Sequence, residues 1–139
     1  MSFVTLRGLL ETHMATFAAA QSLHVAYENQ PFKPESEETF LRSTLMLSEP
    51  RAAACGVAAQ DYQRGVYQVD IYGIANKGWG PVAIIGDALR VHFKRGSKHT
   101  GNGVTLTCES VAKGPAMIEG NRYRVPMSIT FYAYMEPAA

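Results

Sequence analysis

The side chains best suited to metal binding or nucleophilic chemistry are four histidines and two cysteines. They are His13, His24, His92, His99, Cys55 and Cys108. The histidines lie on different predicted elements, and no His-x₃-His or Cys-x₂-Cys spacing of a metal site occurs. His13 and His92 stand beside apolar helical stripes, which is typical of histidines at the boundary of a core. The sequence therefore predicts that the protein requires no metal and no cofactor.

The other candidates for catalysis also favour structural roles. Cys108 falls in the apolar phase of a strand, so we expect a buried, inert thiol rather than a nucleophile. Cys55 is far away in an unrelated context, and both thiols are predicted to be reduced in a cytoplasmic setting. Glu35, Glu37 and Glu38 are typical of a solvated turn, because an acid/base pair needs one carboxylate in a drier place. We predict that the protein is not an enzyme.

Two glycine-bearing segments could bind a ligand or a partner. Gly78-Trp79-Gly80-Pro81 begins a predicted helix but lacks the Gly-x-x-x-x-Gly-Lys-Ser/Thr pattern of phosphate-binding loops. The segment 96–103 contains Lys98 and His99 among three glycines. Two interpretations stay open for it, a solvated connection or a mobile loop that becomes ordered on a partner. We expect it to be poorly ordered in the isolated protein, together with the segment 48–64.

The composition indicates one domain over residues 1–139. Hydrophobic residues make up 47% of the chain and charged residues 18%, which excludes a disordered chain. The net charge of +1 argues against a nucleic-acid binder that neutralises many phosphates. No run of 18 apolar residues occurs, so no membrane span is predicted. Arg7, Glu11 and His13 interrupt the N-terminal apolar stretch, which is unlike a signal peptide.

Hydrophobic periodicity predicts the elements that must position these residues. One helical stripe runs from Phe3 to Phe17, and a second helix begins at Pro81 and ends before Gly96. Alternation of apolar and polar residues predicts strands at 23–27, 39–47, 67–72, 104–108 and 125–133. The order is α-β-β-β-α-β-β. The fold class is α+β, with a mainly antiparallel sheet of about five strands and two helices on one face.

Tyrosines on the polar side of the strands indicate a surface for another protein. Tyr72, Tyr132 and Tyr134 occupy the phase opposite the apolar face, and tyrosine is favoured at interfaces. No period holds from Ser48 to Arg64, and such a long irregular connection is usually functional. The candidate interface residues are Tyr62, Arg64, Tyr72, Trp79, Lys98, His99, Tyr132 and Tyr134.

Three motifs follow one another in the order and spacing of a known family. They are Gln30-Pro31-Phe32-Lys33-Pro34 with Thr39-Phe40-Leu41-Arg42, then Gly65-Val66-Tyr67-Gln68-Val69-Asp70-Ile71, then Arg122-Tyr123-Arg124-Val125-Pro126-Met127-Ser128-Ile129. Together they resemble the tail terminator or tail completion proteins of long-tailed bacteriophages, over about Phe3 to Tyr134.

The resemblance implies an α+β subunit without cofactor or catalysis that assembles into a homo-oligomeric ring of six copies. It implies three kinds of partner: further copies of the chain, the major tail tube protein, and head completion or neck proteins. The ring would sit in the virion at the head-proximal end of the tail after synthesis in the host cytoplasm. There it would end tube polymerisation and provide the head-docking surface, with no sequence-specific nucleic acid and no membrane as a partner.

Two alternatives stay open at this point. One is another neck or head–tail joining component of a phage. The other is a small cytoplasmic enzyme or ligand-binding domain, which a pocket with convergent polar groups and perturbed pKa values would favour.

Overall fold

Two helices and eight strands make up the part of the chain that the computed structural model describes, residues 2–35, 37–49, 51–52 and 61–135. In chain order they are α1 (Ser2–Gln21), β1 (His24–Ala26), β2 (Phe40–Leu47), β3 (Arg51–Ala52), β4 (Asp61–Ile74), α2 (Gly80–His92), β5 (Lys98–Gly101), β6 (Val104–Lys113), β7 (Met117–Glu119) and β8 (Arg122–Met135). The predicted α+β class is confirmed. The expected number of about five strands is too low, because β3, β5 and β7 are short and carry little alternation.

All strands join one mixed sheet in the order β1-β2-β4-β8-β6-β5, with β3 beside β4 and β7 beside β8. β1 pairs parallel with β2, and the other pairs are antiparallel. The centre is the long pair β4–β8, which runs from Asp61 opposite Met135 to Ile74 opposite Arg122. The remaining strands are arranged on either side of this pair.

Both helices pack on one face of the sheet, as predicted. Their buried side chains join those of the strands in one cluster, which includes Leu6, Leu10, Met14, Phe17, Val82, Leu89, Val69, Ile71, Ile129 and Phe131. Each fully buried side chain of this size stabilises the fold by about 1.5–3 kcal/mol. α2 has Pro81 in its first turn, as expected, but it ends at His92, so Gly96 lies in the following turn rather than directly after the helix. In the described part of the chain, no helix is long and apolar enough to cross a membrane.

The segment 96–103 is a correction to the sequence analysis. It forms β5 and a tight hairpin with β6, in which Lys98–Gly101 pair with Val104–Thr107. Asn102 and Gly103 have φ angles of 43° and 82°, as a two-residue turn with positive φ at both positions requires. The Asn-Gly pair is the sequence signal for this hairpin, and the expected loop is wrong.

The segment 48–64 is only partly described. Residues 61–64 belong to β4 and residues 51–52 form β3, so both ends of the expected irregular connection contribute to the sheet. Residues 50 and 53–60, with Cys55 among them, lie outside the described residues.

Pro126 lies within the central strand β8, although proline usually marks an edge strand or a bulge. Its carbonyl accepts a hydrogen bond from the Gly114 N–H at 2.8 Å. Because the N and O of one residue in an antiparallel strand face the same neighbour, the missing N–H of Pro126 faces residues 114–116, which separate β6 from β7. A Cβ at Gly114 would lie 2.8 Å from Pro126 Cγ, so the break needs glycine there.

Candidate interaction surface

The sheet face opposite the helices is the candidate interaction surface, and we call it the open face. Directly opposite residues of an antiparallel pair point to the same face, so the register of β4 with β8 gives its membership. Its side chains are those of Tyr62, Arg64, Val66, Gln68, Asp70 and Tyr72 on β4 and of Arg122, Arg124, Pro126, Ser128, Thr130, Tyr132 and Tyr134 on β8. In the described part of the chain, neither helix packs on this face.

At one end of the open face, three tyrosines form a cluster. Tyr62 lies opposite Tyr134, and Tyr132 lies opposite Arg64. The ring centroids of the three tyrosines are 5.4–6.0 Å apart, which is the usual range for aromatic pairs. The side chain of Tyr134 is 37% exposed, and Arg64 is exposed as well. We call Tyr62, Arg64, Tyr132 and Tyr134 the tyrosine end.

Charged groups extend the tyrosine end towards the sheet edge. Arg64 Nη2 forms an ion pair with Glu109 Oε2 at 3.0 Å. Lys98 lies opposite Thr107, which lies opposite Tyr132, so Lys98 shares this face two strands away. Phenol hydroxyls, a guanidinium and an ammonium beside apolar rings are suited to hold another protein through hydrogen bonds and ring contacts.

The other end of the open face is covered by the chain itself. Tyr72 stacks on Phe40 with centroids 4.8 Å apart and ring planes 2° apart. Phe32, from the segment 31–38 between β1 and β2, lies 5.0 Å from Phe40 and leaves it buried. Partial burial raises the pKa of the Tyr72 phenol, so it stays neutral.

Two arginines hold this cover in place. Arg122 lies over the Phe40 ring and donates hydrogen bonds to the carbonyl oxygens of Glu35, at 2.6 Å, and Glu38. Arg124 Nη2 forms an ion pair with the buried Asp70 carboxylate at 3.1 Å. We call Phe40, Tyr72, Arg122 and Arg124 the clasped end.

Two of the predicted interface residues lie away from the open face. Trp79 precedes α2, is 70% exposed, and borders a cleft of about 210 Å³ whose floor is formed by Val82, Gly86 and Met127. Sites for drug-sized ligands measure about 300–1,000 Å³, so this cleft does not favour the ligand-binding alternative. His99 points towards α1 and is half-buried there. The structure therefore brings together Tyr62, Arg64, Lys98, Tyr132 and Tyr134 and leaves Tyr72, Trp79 and His99 elsewhere.

Three histidines converge on the helix side, which their spacing along the chain did not indicate. The rings of His13 and His99 have centroids 3.6 Å apart, and His92 Nε2 donates a hydrogen bond to the His13 carbonyl at 2.9 Å. Desolvation by burial lowers the pKa of His13 and of His99, and the nearby histidines lower both further. Among the described residues, no group of three His, Cys, Asp or Glu side chains could hold a metal ion.

Two further expectations concern thiol and carboxylate chemistry. Cys108 is buried in β6, and burial raises the pKa of its thiol, which is typical of an inert cysteine. Glu35 and Glu37 are exposed, and Glu38 accepts a hydrogen bond from the Glu35 N–H at 3.0 Å. This N–H lowers the pKa of the Glu38 carboxyl, so the run forms the solvated turn that the sequence indicates.

Comparison with protein families decides where this architecture belongs. Residues 5–131 match the family model described as phage tail terminator protein. The chain belongs to this family. The resemblance inferred from the three motifs is thus confirmed, and the family is one of structural tail proteins. The match to the tail terminator family includes the clasped end and Tyr62, whereas Tyr132 and Tyr134 lie just beyond it.

Solved structures share the fold of this tail terminator family member. Fourteen solved chains match it. One of them, whose name states no function, has a TM-score of 0.80 and 23% sequence identity over 99% of both chains. At that identity the likeness shows the fold alone. The search of curated proteins found no match.

Proposed function

We propose that this chain forms a homo-oligomeric ring of six subunits on the head-proximal end of the phage tail tube. The ring ends polymerisation of the tube and provides the surface to which the head docks. Its partners are further copies of the chain, the major tail tube protein and the head completion or neck proteins, and its location is the virion. The chain acts by binding, without catalysis.

The family match over residues 5–131 is the observation that carries this proposal. The tyrosine end supports it, because its rings lie on a sheet face on which neither helix packs in the described part of the chain. Clustered aromatics with an arginine beside them are the residue types that dominate the binding energy of protein interfaces. We assign the tyrosine end to contacts within the assembled tail.

The charge of the chain suits a closed ring. Subunits related by rotation meet through two different surfaces, so each copy needs two adhesive regions. A net charge of +1 leaves little overall repulsion between six copies. A nearly neutral ring also lets DNA pass without strong binding.

Electron microscopy of tail tubes tests the proposal. Tubes assembled from purified tube protein are imaged by negative stain with and without this chain. We expect added protein to form a ring at one end of each tube and to stop growth from that end, so that mean tube length no longer increases. Tubes that keep growing at both ends would contradict the proposal, and binding to isolated heads without binding to tubes would favour a neck component instead.

A further inference from the structure

The outer side of α2 is an apolar helix surface with no cover in the described part of the chain. Val82, Gly86 and Leu89 face the core, yet Ile84 and Val91 on the outer side are 69% and 73% exposed. These two residues are seven positions apart and therefore lie on one side of the helix. A helix that is apolar on both sides is normally buried on both.

Cations of one sign surround this apolar surface. Residues 90–98 contain Arg90, Lys94, Arg95 and Lys98 and no Asp or Glu. All four are exposed, and within the described residues none of them forms an ion pair. The first three line one shallow cleft beside β6. We call these four residues the basic edge, because they lie where α2 leads into β5, the last strand on that side of the sheet.

The opposite edge of the sheet carries the complementary charge. Residues 28–38 contain Glu28, Glu35, Glu37 and Glu38 against a single cation, Lys33. This segment connects β1 to β2 at the other end of the strand order. We call the four glutamates the acidic edge.

The acidic edge also has an apolar surface beside it. The Glu28 carboxylate accepts the Leu45 N–H at 2.6 Å on the outer side of β2. The next two residues of that strand, Met46 and Leu47, are exposed large apolar side chains. Each edge therefore combines exposed apolar groups with charges of one sign, which is the usual composition of an interface core and its rim.

We propose that the acidic edge of one copy docks on the basic edge and outer α2 surface of the next copy. This inference rests on the ring proposed above and adds the pair of surfaces that closes it. A heterologous contact needs two different surfaces that fit each other, and one chain with opposite charges on opposite edges supplies both. The weak net charge of the chain is thus the sum of two separated charges rather than an absence of charge.

Charge reversal tests the docking in the protein alone, without tail tubes. One variant carries Lys94→Glu and Arg95→Glu, the second carries Glu35→Lys and Glu37→Lys, and Lys77→Glu is the control on an exposed turn outside both edges. Self-association is measured by sedimentation at low ionic strength and increasing protein concentration. Each double variant should associate about tenfold or more weakly than the wild type, because like charges then face each other. An equimolar mixture of the two should regain association, and high salt should weaken wild-type association.

Three results would overturn the proposal: a wild type that stays monomeric at low salt up to its solubility limit, double variants that associate like the wild type, or a mixture that stays as weak as its components. Loss of duplex DNA binding by the Lys94→Glu, Arg95→Glu variant, with self-association unchanged, would show that the basic edge binds nucleic acid instead. Circular dichroism melting of each variant checks that the fold is retained. If the edges associate as expected but wild-type protein leaves tube growth unchanged, the proposed function fails while the docking stands.

Discussion

The two ends of the open face are built from the same strands and the same residue types, yet they differ in how their groups are satisfied. Tyr62 and Tyr72 are ten residues apart on β4, about 33 Å along the strand. At the clasped end, rings and guanidinium groups find partners within the chain. At the tyrosine end, three rings contact one another and present their remaining surface outward. The comparison shows that one sheet face can serve stability at one end and binding at the other.

The largest effect is expected at the tyrosine end, on assembly. Tyr132→Ala with Tyr134→Ala should leave the fold nearly intact, because Tyr134 is exposed and Tyr132 only half-buried. Truncation of interface aromatics can cost about 2 kcal/mol or more each in binding. Capping of tail tubes, seen by electron microscopy, should therefore be strongly weakened while the melting curve changes little.

The matched control for this variant is Tyr72→Ala at the clasped end. It should lower the melting temperature, because the stack with Phe40 is lost, while the folded protein still caps tubes. Normal capping by the tyrosine-end double variant, or loss of its fold together with capping, would show that this face is wrongly assigned.

The next largest effect concerns stability at the clasped end. Arg124→Met removes the partner of the Asp70 carboxylate, which is only 4% exposed. Breaking a buried ion pair from one side leaves an uncompensated charge and costs about 3–5 kcal/mol. Urea unfolding should show this loss, and the addition of Asp70→Asn should restore part of it. Equal stability of the single and double variants would contradict the role given to the pair.

A smaller loss of stability is expected from Arg122→Met. Two carbonyls of the segment 31–38 lose a charged donor and Phe40 loses its covering cation, together worth about 2 kcal/mol. The same substitution at Arg64, whose pair with Glu109 is exposed, should cost less than about 1 kcal/mol. Hydrogen exchange should become faster in residues 31–38 of the first variant only. Equal losses in the two variants would remove the distinction between the ends.

The smallest effect belongs to the histidines on the helix side, which contact neither end. Because His13 and His99 have pKa values below the ordinary value of about 6.5 in the folded state, folding favours their neutral forms. Their contribution to stability is present above pH 6.5 and is lost as pH falls below it. The melting temperature should fall between pH 7 and pH 5, and His99→Gln should reduce that fall. A pH-independent melting temperature in this range would contradict the prediction.

Much of this architecture could be predicted from periodicity, and the rest depends on long-range contacts. The alternation around Tyr67 and Ile129 correctly indicated which side of β4 and β8 is buried. It could not indicate that Phe32 and Arg122 cover Tyr72, because that cover comes from a segment about 40 residues earlier in the chain. The His13–His99 contact was likewise invisible, since it exists only after α1 has packed beside β5. By contrast, the β5–β6 hairpin had a local signal in Asn102-Gly103.

The long central pair β4–β8 also determines when the subunit can become functional. Its partners are separated by 48 residues, for Ile74 with Arg122, and by 74 residues, for Asp61 with Met135. Domains dominated by such non-local pairing fold slowly, on the scale of about milliseconds to seconds. During synthesis, β4 has no neighbour on its β8 side until the last strand leaves the ribosome. The tyrosine end, made from the first residues of β4 and the last of β8, is therefore completed only when the rest of the subunit has been made.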